Sequence, residues 1–455
     1  MKNNFWLICL GWLFTNFAIA QQQSPVSSSY SFTLDEAIEF ALENSYQSIN
    51  ARRDVAKALK RKWEATADGL PQIDGLIDYQ NQLKQPVTLI PGEVAGGEPG
   101  TFVPVIFGVK QQASLTATLS QIIFDGSYLV GIEAAESFLQ YNDDLEEKTK
   151  LEVRKSVINA YGSVLVSQEN VEILKNNEAT LEKNYLETKK IFENGLAEEE
   201  DVEQLQITLL EIKNQLSNAE RLKKISLQMF NLTIGVDVNS NTVLSDQLEN
   251  LAMKNMDQSV TTKPFILENN IDYRLSYLLT EQTRLELKLE RSRALPRLTA
   301  FVNYGTSAFD DDFVFFESDT RWFQSSILGA SLNIPIFSSL RRSARTQQAK
   351  IANEQSNTDF LRAQQEIQLQ YETAVSDYKF SIESYETSKK NLALAERIEN
   401  KNQIKYSEGL ATSFELRQAQ LQLYNTQNVV LNAMLDIINK RAELENILNT
   451  PNNNN

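Results

Sequence analysis

Two long stretches of this sequence contain no proline. None occurs between Pro104 and Pro264 or between Pro335 and Pro451, which leaves proline-free runs of 159 and 115 residues. Within the second run Gly409 is the only glycine. Because proline and glycine are the residues that most often end a helix, such runs favour very long helices. The chain is therefore predicted to be mainly α-helical, with helices longer than an ordinary compact domain uses.

The composition excludes most catalytic chemistry. The 455 residues include no histidine and one cysteine, so zinc sites, histidine-based triads and thiol catalysis have no candidate ligands or nucleophiles. We expect no enzymatic activity, no metal and no cofactor. With 60 acidic against 44 basic residues the net charge is -16, which disfavours nucleic acid as a partner. Arg341, Arg342 and Arg345 form only a short basic cluster.

The first 20 residues have the pattern of a secretory signal peptide. Lys2 precedes an apolar run, and Ala18-Ile19-Ala20 supplies the small residues that signal peptidase requires. Cleavage would remove Cys9, and no cysteine stands at the cleavage position to accept a lipid. We therefore expect a signal peptide at 1–20, followed by an N-terminal linker at 21–32.

The rest of the chain is a duplication. Landmarks of the first half return in the second half at offsets of 225, 213 and 214: Leu70-Pro71 as Leu295-Pro296, Leu119–Phe124 (LSQIIF) as Leu332–Phe337 (LNIPIF), and Gly195-Leu196-Ala197 as Gly409-Leu410-Ala411. The change of offset means that one loop differs in length between the halves. We divide the chain into a first repeat (33–235), an inter-repeat segment (236–268), a second repeat (269–449) and a disordered tail (450–455).

Each repeat is predicted to contain helices on both sides of a strand pair. The first repeat begins with a helix at 34–68, started by Thr33 and Glu36 as a capping box. Its counterpart runs from about 269 to 294. The long helices are expected at 126–194 and 340–408, each 69 residues and therefore about 100 Å long. A tight turn at Gly195 or Gly409 then leads into a further helix.

In four segments apolar and polar residues alternate with a period of two: about 71–82, 111–124, 297–306 and 324–335. In the second segment Leu115, Ala117 and Leu119 alternate with Ser114, Thr116 and Thr118. Strands of roughly 9 to 12 residues suit a tilted crossing of a lipid bilayer. A half-buried sheet in a soluble domain would alternate equally well, but no further apolar elements are present to cover it. The loops at 84–108 and 305–321 are expected to be exposed at one end of the strands.

Four strands cannot close a membrane barrel, because the smallest spanning barrels have eight. The chain must therefore oligomerise, and the pattern fits two copies as well as three. The fold class expected from the residues is mainly α, with a membrane β-barrel built from a duplicated helix-strand-strand-helix protomer. A secreted coiled-coil structural or adaptor protein without a pore is the alternative, but a helical rod would not need the four strands.

The order and duplication of these features resemble the TolC family of outer-membrane efflux proteins, over about 33–449. The insertion at 84–108 resembles that of Bacteroidetes-type members. The resemblance implies a homotrimer with a twelve-stranded barrel in outer-membrane lipid and a long α-helical barrel through the periplasm. It also implies a periplasmic adaptor (membrane fusion protein) and an inner-membrane pump of the RND or ABC type. The function implied is a passive exit duct for efflux or type I secretion.

The resemblance also assigns roles at the periplasmic tip. Tyr406 and Asp201 match a link between protomers that closes the tip, and Glu415 matches the first acid of the pore constriction. The turns Gly195-Leu196-Ala197 and Gly409-Leu410-Ala411 match the region that docks the adaptor. The chain departs from the family where Ala411 replaces an arginine, Glu200 a threonine and Gln418 a second acid. The plainer interpretation is that the acids stabilise a helix N-terminus and the glycines end helices.

Overall fold

The computed structural model describes residues 29–262 and 264–449. The signal peptide expected at 1–20 and the tail expected at 450–455 lie outside these ranges. The described residues form two compact units. One comprises the chain up to Tyr46 with Val153–Thr261 and Ser376–Glu443, and the other comprises Gln47–Glu152, Thr262–Val375 and the residues from Leu444 onward.

Helices account for most of the described chain. They are α1 (Leu34–Asn44), α2 (Tyr46–Ala67), α3 (Gly126–Glu193), α4 (Glu199–Ile234), α5 (Leu248–Lys254), α6 (Ile271–Ser292), α7 (Arg341–Ser407) and α8 (Ser413–Leu448). The strands are β1 (Ser29–Phe32), β2 (Gln72–Asn81), β3 (Val87–Pro91), β4 (Phe102–Ile106), β5 (Gln111–Asp125), β6 (Asn241–Leu244), β7 (Arg297–Asp310) and β8 (Phe323–Asn333). Short 3₁₀ turns lie at Gly92–Ala95, Gln258–Thr262 and Leu267–Asn269.

The long helices α3 and α7 contain 68 and 67 residues and end within one residue of their expected bounds. The helix α3 follows β5 directly, and seven residues separate β8 from α7; each long helix ends two positions before a glycine. In the described ranges, no helix is long and apolar enough to cross a membrane.

The first predicted helix, 34–68, is wrong as a single helix. The capping box at Thr33 and Glu36 is present, but the chain is extended at Ser45 (φ -63°, ψ 145°), which separates α1 from α2. Gly235 lies against this break with φ +90°, and a Cβ there would come within 2.3 Å of the Asn44 carbonyl oxygen. The break is thus fixed by a tertiary contact, which local propensity does not reveal.

The second unit contains a four-stranded antiparallel sheet in the order β2-β5-β7-β8. Its register places Ile73, Leu119, Val302 and Leu328 side by side across all four strands. Because side chains alternate between faces, every second residue shares this mainly apolar face, and Ser114, Thr116 and Thr118 lie on the other. β7 is four residues longer than predicted, since its ladder with β5 continues to the pair Gln111 and Asp310.

The loops at the far end of the sheet are more ordered than the sequence indicated. Within 84–108, β3 and β4 form an antiparallel hairpin in which Pro104 lies opposite Leu89. Pro91 and Pro104 lie in the strands of this hairpin, where each strand has a free edge and a missing N–H is tolerated. In the second loop, Phe315 is buried against Ala113 and Ala308.

The first unit is held together by an apolar core and one polar hub. Strand β1 pairs in parallel with β6, so the linker expected at 21–32 includes a strand at its end. The Tyr161 hydroxyl is within 2.8 Å of an Asp246 carboxylate oxygen, and the same oxygen accepts from the Leu34 N–H at 2.8 Å. Burial and the Asp246 carboxylate raise the pKa of Tyr161, which keeps its hydroxyl neutral. The hub joins three segments that are distant in sequence.

Candidate functional site at the two helix turns

Two similar turns end the long helices in the first unit. Gly195 and Gly409 have φ values of +77° and +72°, a conformation that strongly favours glycine. In each turn the following leucine N–H donates five residues back, from Leu196 to the Ile191 carbonyl and from Leu410 to the Lys405 carbonyl. This is the Schellman pattern of a helix C-cap. Leu196 and Leu410 project into solvent with exposed fractions of 82% and 73%.

A cleft of about 690 Å³ lies between the two turns. It brings together most of the residues that the sequence assigned to the tip: Leu196, Ala197, Asp201, Tyr406, Gly409 and Ala411. Gly195, Leu410 and Glu415 are not part of its lining. The remaining walls include Glu187 and Lys190, so the cleft is lined by both charge signs.

Tyr406 has a partner within its own chain. Its hydroxyl oxygen lies 2.7 Å from that of Thr188 on α3. Burial raises the pKa of Tyr406, the negative charge of Asp201 adds to this, and the contact with Thr188 partly offsets it. The tyrosine is therefore neutral and able to donate a hydrogen bond at neutral pH.

Asp201 also has an intrachain partner. Its Oδ1 accepts a hydrogen bond from the Ser413 hydroxyl at the start of α8. Ser413 is buried, and its hydroxyl also lies 3.3 Å from Gln204 Oε1. Asp201 thus holds the beginning of α8 against the first turn of α4.

Glu415 takes part in a second capping box. Its Oε2 accepts from the Thr412 N–H at 2.9 Å, and its own N–H lies 3.2 Å from the Thr412 hydroxyl oxygen. This reciprocal pair satisfies free N–H groups at the start of α8. The carboxylate of Glu415 remains exposed, so the cap does not remove its charge from the surface.

Sequence reasoning missed a pair of amide side chains that lies about one helical turn before Tyr406. Asn184 and Gln403 exchange two hydrogen bonds, each of 2.9 Å, between α3 and α7. Asn184 is four residues before Thr188 and Gln403 three before Tyr406, so both pairs follow one helix face. Polar residues at helical spacing within an apolar stripe can be recognised in the sequence. Which residue of α3 lies opposite which residue of α7 cannot.

The side chains at the tip serve as helix caps and hydrogen-bond partners. In the described part of the chain, no group of three or more acidic, histidine or cysteine residues is placed to hold a metal. The tip consists of two glycine turns, the hydrogen-bonded pairs of Tyr406 with Thr188 and of Asp201 with Ser413, and the exposed acid Glu415.

The duplicated order of helix, strand pair and paired long helices, with a sheet that is apolar on one face, is that of an outer-membrane channel protomer. The model of the outer membrane efflux protein family matches residues 37–236 and 266–450, and the chain belongs to this family. It is therefore an outer-membrane protein whose helical part lies in the periplasm. The family is one of passive channels.

Individual relatives are distant but similar over most of their length. The outer membrane protein TolC of Vibrio cholerae is 23% identical over 348 residues, covering 73% of this chain and 75% of that protein. A crystal structure of CusC has a TM-score of 0.72 at 15% identity and covers 91% of each chain. The CmeC outer membrane channel of Campylobacter jejuni has a TM-score of 0.71 at 15% identity, over 92% of this chain and 85% of that one. These structures show a shared fold.

Proposed function

We propose that three copies of this chain form the passive exit duct of a tripartite efflux or type I secretion system, closed at rest at its periplasmic tip. The observation that carries the proposal is the register of the four-stranded sheet. It keeps one face apolar across β2, β5, β7 and β8 while leaving β2 and β8 as edges. Unpaired edges are not tolerated in hydrocarbon, so β2 of one protomer must pair with β8 of the next.

The apolar face supports contact with lipid. Leu115 and Leu119 on β5 are 41% and 36% exposed in the single chain, and Leu328 on β8 is 80% exposed. No helix or second sheet covers them in the described residues. Twelve strands would enclose a lumen, which Thr116 and Thr118 would line.

The hydrogen-bonding capacity of the tip supports closure between protomers. A tyrosine hydroxyl can accept one hydrogen bond and donate another. If Thr188 donates to Tyr406, the phenol proton is available for a carboxylate. In the described chain, Asp201 Oδ1 accepts from Ser413 and Oδ2 has no hydrogen-bond partner, so a neighbouring protomer's tyrosine could bind there. Such a charge-assisted bond contributes about 1.5 to 3 kcal/mol.

The exposed leucines support docking of an adaptor. Leu196 and Leu410 end the two turns and have no packing partner that covers them in the described chain. Apolar side chains at the remote ends of long helices are suited to contact another helical hairpin. We propose that a periplasmic adaptor binds here and connects the duct to an inner-membrane pump of the RND or ABC type.

Assembly tests the proposal. The full chain, expressed in a Gram-negative host, should fractionate with the outer membrane and run as a trimer that dissociates on heating. Deleting the β8 strand (323–333), which removes one sheet edge, should abolish the trimer. A protein that is a stable monomer without detergent would contradict the proposal.

A further inference from the structure

The two repeats change from strand to helix in different ways. In the first repeat β5 ends at Asp125 and α3 begins at Gly126, with no linker. Asp125 closes this junction by accepting from Ser127 N–H at 2.8 Å and by pairing with Arg297 at 3.3 Å. The fold can therefore make this transition with ordinary capping and without a linker.

The second repeat uses a seven-residue linker, 334–340, between β8 and α7. Three of its apolar side chains are among the most exposed of the chain: Ile336 at 88%, Phe337 at 82% and Leu340 at 75%. Nothing in the described residues covers them. Their exposure exceeds that of the apolar residues at the first junction, where Ile123 and Leu129 are 56% and 57% exposed.

Basic residues follow the linker at once. Arg341, Arg342 and Arg345 begin α7, whereas residues 126–132 at the matching place in the first repeat contain no basic residue. Arg341 and Arg345 are exposed, lie on one helix face, and have no carboxylate within 4 Å in the described chain. Arg342 donates to the backbone carbonyls of Pro335 and Ile336, which holds the linker against the start of the helix.

A second basic segment reaches the same edge of the sheet. Arg297 at the start of β7 lies opposite Asn333 at the end of β8. The segments 291–297 and 335–345 therefore leave the sheet side by side, and together they contain six arginines and no acidic residue. Arg293 pairs with Glu290 and Arg297 with Asp125, so the positive charge without an ion-pair partner in the described chain is that of Arg291, Arg341, Arg342 and Arg345.

We infer that this junction is a binding site for anionic phospholipid headgroups in the periplasm-facing leaflet of the outer membrane. Arg341 and Arg345 contact the phosphate, for which the guanidinium fork is suited. Ile336, Phe337 and Leu340 insert among the acyl chains beside it. The periplasmic helices begin at this edge of the sheet, so the edge lies at the level of that leaflet. Charge complementarity and adjacent exposed apolar residues favour lipid as the occupant.

The inference rests on the proposed barrel, and the test separates the two. The purified full-length trimer is titrated in detergent with phosphatidylglycerol or phosphatidylcholine, and bound lipid is counted by native mass spectrometry. Each arginine near an anionic surface contributes about fivefold, so R341Q/R345Q should weaken phosphatidylglycerol binding roughly 25-fold. R341K/R345K should bind it nearly as the parent does.

The matched control removes two charges from the same helix elsewhere. R362Q/R397Q changes two exposed arginines of α7 far from the sheet and should bind phosphatidylglycerol like the parent. Raising the salt concentration should weaken binding to the parent, a result that does not depend on any variant folding.

Several results would overturn the inference. They are equal binding of phosphatidylcholine and phosphatidylglycerol, salt-independent binding, or an unchanged affinity in R341Q/R345Q. If R341Q/R345Q lost the ability to bind isolated peptidoglycan but still bound phosphatidylglycerol, the two arginines would be assigned to that polymer instead. Failure of the parent to fractionate with the outer membrane would contradict the proposed function, whereas normal fractionation without lipid preference contradicts this inference alone.

Discussion

The hydroxyl oxygens of Tyr406 and Thr188 lie 2.7 Å apart within one chain, across the contact between α7 and α3. This pair fixes the phenol beside Asp201, whose charge contributes to the raised pKa of Tyr406. The intrachain pair and a link to a neighbouring protomer are compatible, because the phenol can accept from one and donate to the other.

The two contacts of Tyr406 should differ in strength. A hydrogen bond between neutral groups contributes about 0.5 to 1.5 kcal/mol, and one to a charged group about 1.5 to 3 kcal/mol. We expect Thr188→Ala to leave the tip closed, with a single-channel conductance in planar bilayers close to the parent's. Tyr406→Phe should raise the conductance. If Thr188→Ala opens the channel as much as Tyr406→Phe does, the intrachain pair is what holds it closed.

Glu415 should influence ion selectivity through its charge. Because it also caps α8, Glu415→Ala would combine two effects, whereas Glu415→Gln keeps a side chain that can complete the capping box. We expect Glu415→Gln to lower the preference for cations and block by multivalent cations, with an unchanged melting temperature. The measurement is the reversal potential under a salt gradient. An unchanged reversal potential would place Glu415 outside the constriction.

The strand faces can be tested at neighbouring positions. Ala117 lies in the apolar row between Gly75 and Tyr304, and Thr116 lies on the other face. Ala117→Arg should destabilise the barrel by roughly 2 to 4 kcal/mol if it lies near the membrane midplane, and Thr116→Arg far less. The yield of heat-sensitive trimer in the outer membrane reports the difference. The opposite ranking would mean that lipid contacts the other face.

A half-buried carboxyl near the tip should make stability depend on pH. Burial raises the pKa of Glu399 above its ordinary 4.5, and the fully buried Gln420 beside it partly offsets this. A carboxyl whose pKa is raised in the folded protein stabilises the fold at pH values below its ordinary pKa. This stabilisation is lost as the pH rises through the pKa of the folded state. Glu399→Gln should therefore raise the melting temperature of the trimer at pH 7 and have little effect at pH 4.

The control for this prediction is Glu396→Gln, which alters an exposed carboxylate on the same helix. It should leave the melting temperature unchanged at both pH values. A stabilisation by Glu399→Gln that is equal at pH 4 and pH 7 would show that charge is not the cause.

The elements that sequence predicted well are those with a strong local signal. The period-two alternation around Ala117 and the proline-free runs locate the long strands and helices within a few residues. The break at Ser45 and the pairing of β1 with β6 were not predictable in this way. The first depends on Gly235, and the second joins residues more than 200 positions apart.

The same distinction applies to the tip. The glycine turns were readable because positive φ at Gly195 and Gly409 follows directly from a glycine after a long helix. The partners Thr188 and Ser413 were not readable, since they depend on how four helices align. The sequence therefore predicts which types of residue occur at the site. Which of them form hydrogen bonds with each other depends on how the helices pack.

The conductance of Y406F/D201A trimers in planar bilayers tests the central claim most directly. If three copies form a duct that Tyr406 and Asp201 of neighbouring protomers hold closed, this variant should assemble as a heat-sensitive trimer and conduct clearly more than the parent. S407A, a change of an exposed residue next to Tyr406, should conduct like the parent. A normally assembled Y406F/D201A trimer with parental conductance would contradict the proposed closure, and the absence of any channels would contradict the duct itself.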